Sequence, residues 1–168
     1  SCDSALSDMV DEIERSILNN QYSIGVFLDI EGAFDNLDPE AVLSGMRDKC
    51  IPDKIMKWYG HYLKNRTIVV DLKGVHATRG LTKGTPQGGV LSPLAWNLAF
   101  DQLLALFNEG PVHIKGFADD AALIVSGPDL NTLVCIMQDG LNKAINWGRK
   151  HGLRFGVAKT VSVIFSRR

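Results

Sequence analysis

The sequence predicts an α+β domain. Apolar residues recur at helical spacing in five stretches, short apolar runs of strand type stand between them, and two pairs of those runs are joined by tight turns. The resulting order is α-β-α-α-β-β-α-β-β-α-β, with helices crossing between strands and a central antiparallel hairpin. A length of 168 residues suits one compact domain, and a hydrophobic content of 45 % is enough to fill its core.

Leu6, Met9, Val10, Ile13, Ile17 and Leu18 define an amphipathic helix from about Ser4 to Asn19, with Asp3 or Ser4 as its cap. Tyr22 to Ile30 is the first strand. Its centre, Ile24-Gly25-Val26-Phe27-Leu28, is continuously apolar, as in a strand buried on both faces. Asp38-Pro39-Glu40 opens the next helix with a capping acid and a proline in the first turn. Ile51-Pro52 breaks it, and Ile55, Met56, Tyr59, Tyr62 and Leu63 carry another. Arg66–Leu72 and Val75–Thr78 flank the turn Lys73-Gly74 as a hairpin.

Gly80 to Pro93 is a glycine-rich loop leading into a helix, with Ser92 as N-cap and Pro93 as first helical residue. That helix runs to about Asn108. Val112–Phe117 and Ala121–Val125 form the second hairpin, with Asp119 and Asp120 at its turn. Asp129 starts a long helix that Gly152 closes. Val161–Phe165 is the last strand.

Net charge is −1, but its distribution is uneven. Residues 1–48 hold eleven acids and two bases, whereas residues 140–168 hold seven bases and no acid. A basic end is a clue to a polyanionic partner; two solvated faces of opposite sign explain it as well. Cys2, Cys50 and Cys135 have no paired spacing, which argues for reduced thiols in an intracellular protein and against a zinc site. The four histidines form no metal-binding spacing and read as surface or strand residues. No apolar run approaches the ~20 residues of a membrane span. Ser1 is neither a start methionine nor part of a signal peptide, so the chain reads as an internal piece of something longer.

Two places carry chemistry. Asp29 follows a strand buried on both faces, where a charge is costly unless it is paired, metal-bound or at a rim. Asp119-Asp120 sits at a hairpin turn, where acids are either mere turn residues or oxygen ligands for a divalent cation. In a sheet, neighbouring strands lie about 4.8 Å apart, so Asp29 and Asp119 can share a cation that relieves their repulsion. The loop with Gly84, Gln87, Gly88 and Gly89 permits close approach of a phosphate or nucleotide, or is a plain connection.

Phe27-Leu28-Asp29-Ile30-Glu31-Gly32-Ala33-Phe34-Asp35 resembles motif A of reverse transcriptases. Gly84-Thr85-Pro86-Gln87-Gly88-Gly89-Val90-Leu91-Ser92-Pro93 resembles their motif B, and Phe117-Ala118-Asp119-Asp120 their motif C. Order and spacing agree across nearly the whole chain, and the wording of motifs B and C is most similar to the non-LTR retrotransposon group. The resemblance implies a polymerase palm with a ferredoxin-like core and a mixed, largely antiparallel sheet packed on helices, here spanning residues 1–168. It implies RNA-directed DNA polymerase activity by two-metal nucleotidyl transfer, with RNA template, DNA primer and dNTPs as partners, Mg²⁺ as cofactor, Mn²⁺ as its substitute, and a nuclear site of action.

By the same resemblance Asp29 and Asp119 ligate metal, with Asp120 as a supporting carboxylate and the backbone carbonyl of Ile30 as a further ligand. Phe34 lies under the sugar of the incoming nucleotide and disfavours a 2′-hydroxyl. Gln87 and Gly88 shape the nucleotide pocket. Lys159 matches the basic residue of motif D, where an ammonium protonates the leaving pyrophosphate. Arg149, Lys150 and Arg154, in the basic C-terminal part, face the nucleic acid backbone.

Gly156 departs from the asparagine often found three residues before that lysine. The family's fingers residues before residue 1 and its thumb after Arg168 are absent from this sequence, so the piece alone is expected to polymerise poorly. An inactive or domesticated fragment that binds nucleic acid as a scaffold is the alternative. A nucleotide cyclase-like enzyme is a third reading, opposed by Phe34 and the Pro86-Gln87-Gly88 loop.

Overall fold

The computed structural model describes the backbone of residues 2–167 and the side chains of residues 7–167. The chain divides into two compact units, residues 1–31 with 103–168, and residues 32–102.

The first unit is built on β1 (Tyr22–Glu31). One edge of β1 pairs with β5 (Asp120–Gly127), which in turn pairs with β4 (His113–Phe117). Along its other edge β1 pairs first with β7 (Val161–Phe165) and then, at Ile30–Glu31, with the two-residue β6 (Arg154–Phe155). Every one of these pairings is antiparallel, so the expected mixed sheet is antiparallel among the described strands. Without β6, the spatial order β7-β1-β5-β4 is fourth, first, third, second in chain order, the arrangement of a ferredoxin-like sheet.

Alternation along β1 explains its unbroken apolar run. Ile24, Val26, Leu28 and Ile30 turn to one face with Leu123 and Val125 of β5, all at most 5 % exposed. The long helix α6 (Leu130–Lys150) packs with this unit through Leu133, Met137, Ala144 and Trp147. Its Gly140 lies where an added Cβ would meet Val112 and Leu123 at 3.3 and 3.5 Å. On the opposite face Phe27, Ala122 and Ile124 meet Met9 and Ile13 of α1 (Cys2–Leu18). The buried Ser23 hydroxyl pairs with that of Ser126 at 2.7 Å across the same strands. Each large apolar side chain so buried contributes roughly 1.5–3 kcal/mol. The core therefore fixes β1, and its acidic end is carried to one defined place.

The second unit holds α2 (Ala33–Asn36), α3 (Pro39–Asp48), α4 (Asp53–Lys64), the hairpin β2 (Arg66–Leu72) and β3 (Val75–Leu81), and the start of α5 (Ser92–Ala105). Asp38 caps α3 as expected, its carboxylate accepting from the Glu40 amide at 2.9 Å, with Pro39 at the first turn. Leu37, Val42, Leu63, Trp96 and Ala99 are at most 1 % exposed and form its core. The turn Lys73-Gly74 has φ of 50° and 84°, the left-handed pair that a two-residue hairpin loop demands.

Several expectations need correction. Ser92 does not cap α5: the Ala95 amide donates to the Leu91 carbonyl, and the Ser92 hydroxyl donates to the Pro86 carbonyl at 2.6 Å. A fixed glycine-rich loop thus takes the hydroxyl that a free helix end would have used. The helix ends at Ala105, before Asn108, in a turn. Gly80 and Leu81 continue β3 because they pair with Thr67 and Arg66. α1 starts at Cys2, so Asp3 and Ser4 lie inside it; their side chains, Leu6, the Cys2 thiol and the end residues Ser1 and Arg168 fall outside the described residues. Cys50 and Cys135 are free and exposed. His151 is no surface residue: it is buried and its ring lies 5.2 Å from that of Trp147. No helix among the described residues is long and apolar enough to cross a membrane.

Two tests follow from this packing. An added Cβ at Gly45 would fall inside the van der Waals envelope of the Leu98 carbonyl, whereas one at Gly80 would meet nothing within 4 Å. In urea titrations Gly45→Ala is expected to cost about 1–3 kcal/mol or more, and Gly80→Ala to stay within about 0.5 kcal/mol of the parent. Asp129 caps α6; hydrogen bonds from the Thr132 hydroxyl and amide hold its carboxyl below the usual value. A depressed folded-state pKa contributes stability above the unfolded value and loses it as pH falls through the folded one. The melting temperature of Asp129→Ala should therefore lie below that of the parent at pH 7, with the gap narrowing as the pH drops below 3.8.

Candidate active site

The acidic edge of the first unit follows from strand register. β1 and β5 pair from Tyr22↔Gly127 to Asp29↔Asp120, so the last pair of the ladder is two aspartates directly across from each other. Directly opposed residues share a face, with Cβ atoms about 4.5–5.5 Å apart. Asp119 is not part of this ladder. It forms the two-residue turn with Ala118, which has a φ of 54°. The register thus sets Asp120, rather than Asp119, opposite Asp29, and Asp119 stands beside it at the exposed tip.

The two oxygens of Asp29 differ. Oδ1 accepts from the Lys159 ammonium at 3.2 Å. Oδ2 is buried and has no hydrogen-bond partner. The backbone carbonyl of Asp29 accepts from the Gly156 amide at 2.8 Å, which ties the end of β1 to the turn that carries Lys159. Ile30 is 3 % exposed and pairs with Phe155 in β6. A cavity of about 420 Å³ opens here, with an apolar wall from Met9, Phe27 and Phe117 and four charged groups, Asp29, Asp120, Lys115 and Lys159. Lys115 is held by Asp8 at 3.1 Å.

Among the described residues no three His, Cys, Asp or Glu side chains gather as a ready-made metal cage. A site with few carboxylates suits Mg²⁺, which takes one or two and completes its shell with water and substrate phosphates. A buried carboxylate oxygen without a donor is costly to leave unanswered, and Asp29 Oδ2 is such an oxygen. The residues fit a hard divalent cation held between Asp29 and Asp120.

In the second unit, Phe34 and the glycine-rich loop come together. The Thr85 amide donates to the Phe34 carbonyl and the Gly84 amide to that of Leu37, each at 2.7 Å. Gly84 has a φ of 78°, and a Cβ there would stand 2.6 Å from the Asp35 carbonyl, so glycine is required on both counts. The Phe34 ring lies 6.1 Å from that of Trp96. Gln87 donates to both Asp35 carboxylate oxygens, at 3.0 and 3.1 Å. Gly88 has open space around it. Arg66 holds the loop from below: its guanidinium donates to the Lys83 carbonyl at 2.8 Å and also to that of Gly84.

The sequence reading missed three of these contributors. Asp35 stood in the acidic run but had no assigned role; Lys115 and Arg66 gave no signal, because their partners lie on the distant helix α1 and in a distant loop. Arg149 and Lys150 are exposed in the last turn of α6, where cations also suit the helix end, and exposed Arg154 pairs with Glu31 in the β1–β6 register. None of the three lines the cavity.

Comparison with known proteins places these features in context. The chain is 28 % identical, over 86 % of its length, to a putative 115 kDa protein in the type-1 retrotransposable element R1DM of Drosophila melanogaster, of which it covers 14 %. It is 25 % identical, over 89 % of its length, to the RNA-directed DNA polymerase from mobile element jockey of the same species, of which it covers 17 %. Among solved structures, apo telomerase from Candida Tropicalis superposes over 97 % of this chain and 32 % of its own, with a TM-score of 0.72 and 15 % identity, a likeness of fold alone. The model of the family described as reverse transcriptase (RNA-dependent DNA polymerase) matches residues 4–165, and the chain belongs to that family.

Proposed function

We propose that the chain carries the catalytic palm of an RNA-directed DNA polymerase from a non-LTR retrotransposon, which joins dNTPs to a primer 3′-hydroxyl. The family acts on an RNA template and a DNA primer and generally uses divalent metal ions. The observation that carries the reading is the pairing of Asp29 with Asp120 at the mouth of a cavity, with one oxygen of Asp29 buried and unanswered.

On this reading Asp29, Asp120 and the adjacent Asp119 hold Mg²⁺. When bound, the metal supplies Lewis-acid stabilisation of charge on the phosphoryl oxygens. The chain's own residues do the rest. β1 and β5 hold the carboxylates rigid because their register is locked by a core on both faces. Lys159 lies 3.2 Å from Asp29 and brings an ammonium to the site, positioned to give a proton to the pyrophosphate oxygen. Phe34, anchored through its carbonyl to the glycine-rich loop, bars a 2′-hydroxyl. Gln87 is held by Asp35 and presents the loop beside Gly88 to the nucleotide. Arg149, Lys150 and Arg154 give exposed positive charge for phosphates. The site of action on this reading is the nucleus.

Primer extension by the full-length parent on an RNA template with Mg²⁺ tests the assignment. Asp29→Asn and Asp119→Asn are each expected to lower kcat by about 10³-fold or more, equivalent to ~4 kcal/mol of barrier. Near-normal extension would reject the metal role, and nucleic-acid binding without extension in the unsubstituted parent would favour a scaffold. Phe34→Val should leave dNTP incorporation largely intact and narrow the dNTP-over-NTP ratio of kcat/KM by about tenfold, ~1.4 kcal/mol. An unchanged ratio would remove Phe34 from the sugar pocket.

A further inference from the structure

One short turn holds both sides of Asp29. It runs from Gly156 through a 3₁₀ segment, Val157–Lys159. The Lys159 and Thr160 amides donate back to the Gly156 carbonyl at 3.1 and 3.0 Å, and the Thr160 hydroxyl does so at 2.9 Å, which makes the turn a closed unit. Its first residue is fastened to Asp29 through the backbone, Gly156 N to Asp29 O at 2.8 Å. Its last helical residue is fastened through the side chain, Lys159 Nζ to Asp29 Oδ1 at 3.2 Å.

Gly156 has a φ of −73°, which any residue adopts, so the backbone does not call for glycine. The space does. A Cβ at this position would stand 3.0 Å from Asp29 Oδ2 and 3.5 Å from the Glu31 side chain. A side chain here would crowd the one unanswered oxygen of Asp29, which is already buried. Lys159 has the opposite character: its side chain is 71 % exposed against 27 % for Asp29. A pair this open to solvent is ordinarily worth only about 0–1 kcal/mol. The contact is therefore easily broken by a cation of higher charge on the same carboxylate. The other charges facing this point are Asp120 across the ladder, Glu31 beside Gly156, and Lys115, which is committed to Asp8.

We infer that Lys159 is a placeholder cation for Asp29 that an incoming divalent ion displaces, and that Gly156, by lacking a side chain, leaves the carboxylate free to turn its buried Oδ2 toward that ion. The inference rests on the metal reading of Asp29 proposed above. It makes metal arrival and ammonium release two sides of one equilibrium. The closed turn keeps the released ammonium at the site, where it becomes free for the leaving group only once metal is in place. Linkage requires the reverse as well: whatever holds Lys159 on Asp29 weakens metal binding by the same factor.

Mn²⁺ binding to the 168-residue chain, read from the EPR signal of free Mn²⁺, tests this without any turnover. Lys159→Met is expected to tighten binding by about tenfold. Lys159→Arg, which keeps a cation on the turn, should stay near the parent. Lys115→Met removes an equal charge from the same cavity but from another carboxylate, and should change the affinity by less than about threefold. Gly156→Ala, with an unaltered circular dichroism spectrum, should weaken binding by about fivefold or more. Equal effects of Lys159→Met and Lys115→Met, or no effect of Lys159→Met, would overturn the placeholder role while leaving metal binding at Asp29 intact. If the parent and Asp29→Asn take up Mn²⁺ alike, the metal reading and the placeholder fall together.

Discussion

β1 is paired along both edges and buried on both faces, so it cannot slide against its neighbours. A shift of one residue against β5 would turn Ile24, Val26 and Leu28 out of one core and bring Asp29 into it. That shift would give up apolar burial along the strand, so the packing holds Asp29 and Asp120 directly across from each other. What keeps the acids in place is the burial of apolar side chains several residues away.

The same logic recurs in the second unit, with backbone in place of packing. The glycine-rich loop has little side-chain mass to bury. It is positioned by hydrogen bonds from Gly84 and Thr85 to the carbonyls of Leu37 and Phe34, and by the Arg66 guanidinium on its own carbonyls. Gly84 is thus a place of close approach between two chain segments, not between chain and ligand. Gly88, with open space around it, is the glycine that leaves room for something outside the protein. Glycines in one motif carry different duties, and only the surrounding atoms separate them.

The relatives share about a quarter of their residues with this chain, and the telomerase structures 14–15 %, yet the telomerase fold superposes on nearly all of it. Such a fold asks for pattern rather than identity: alternation in β1, small residues such as Gly45 and Gly140 where elements touch, and turns at the right intervals. Substitutions that keep volume and polarity leave the pattern intact. The chain spans only 14 % and 17 % of the two retrotransposon relatives described.

The sequence by itself determined the helices, most strand bounds and the two hairpins, and it singled out Asp29 and the Asp119-Asp120 pair as candidate residues. These are local matters of periodicity, turn residues and charge beside apolar runs, and the motifs repeat them in a recognisable order. Tertiary structure alone decided which acid faces Asp29, because register depends on the summed fit of two strands ninety residues apart. It also decided the fate of Ser92, whose hydroxyl was taken by a loop rather than a helix end, and the burial of His151 against Trp147. The short elements α2, β6 and the 3₁₀ turn were illegible for the same reason: two to four residues carry no period, and β6 exists only where Phe155 and Arg154 find Ile30 and Glu31. The partnership of Asp29 with Lys159 and Gly156 belongs to that class. It joins residues more than a hundred positions apart, and no local rule couples them until the sheet has closed.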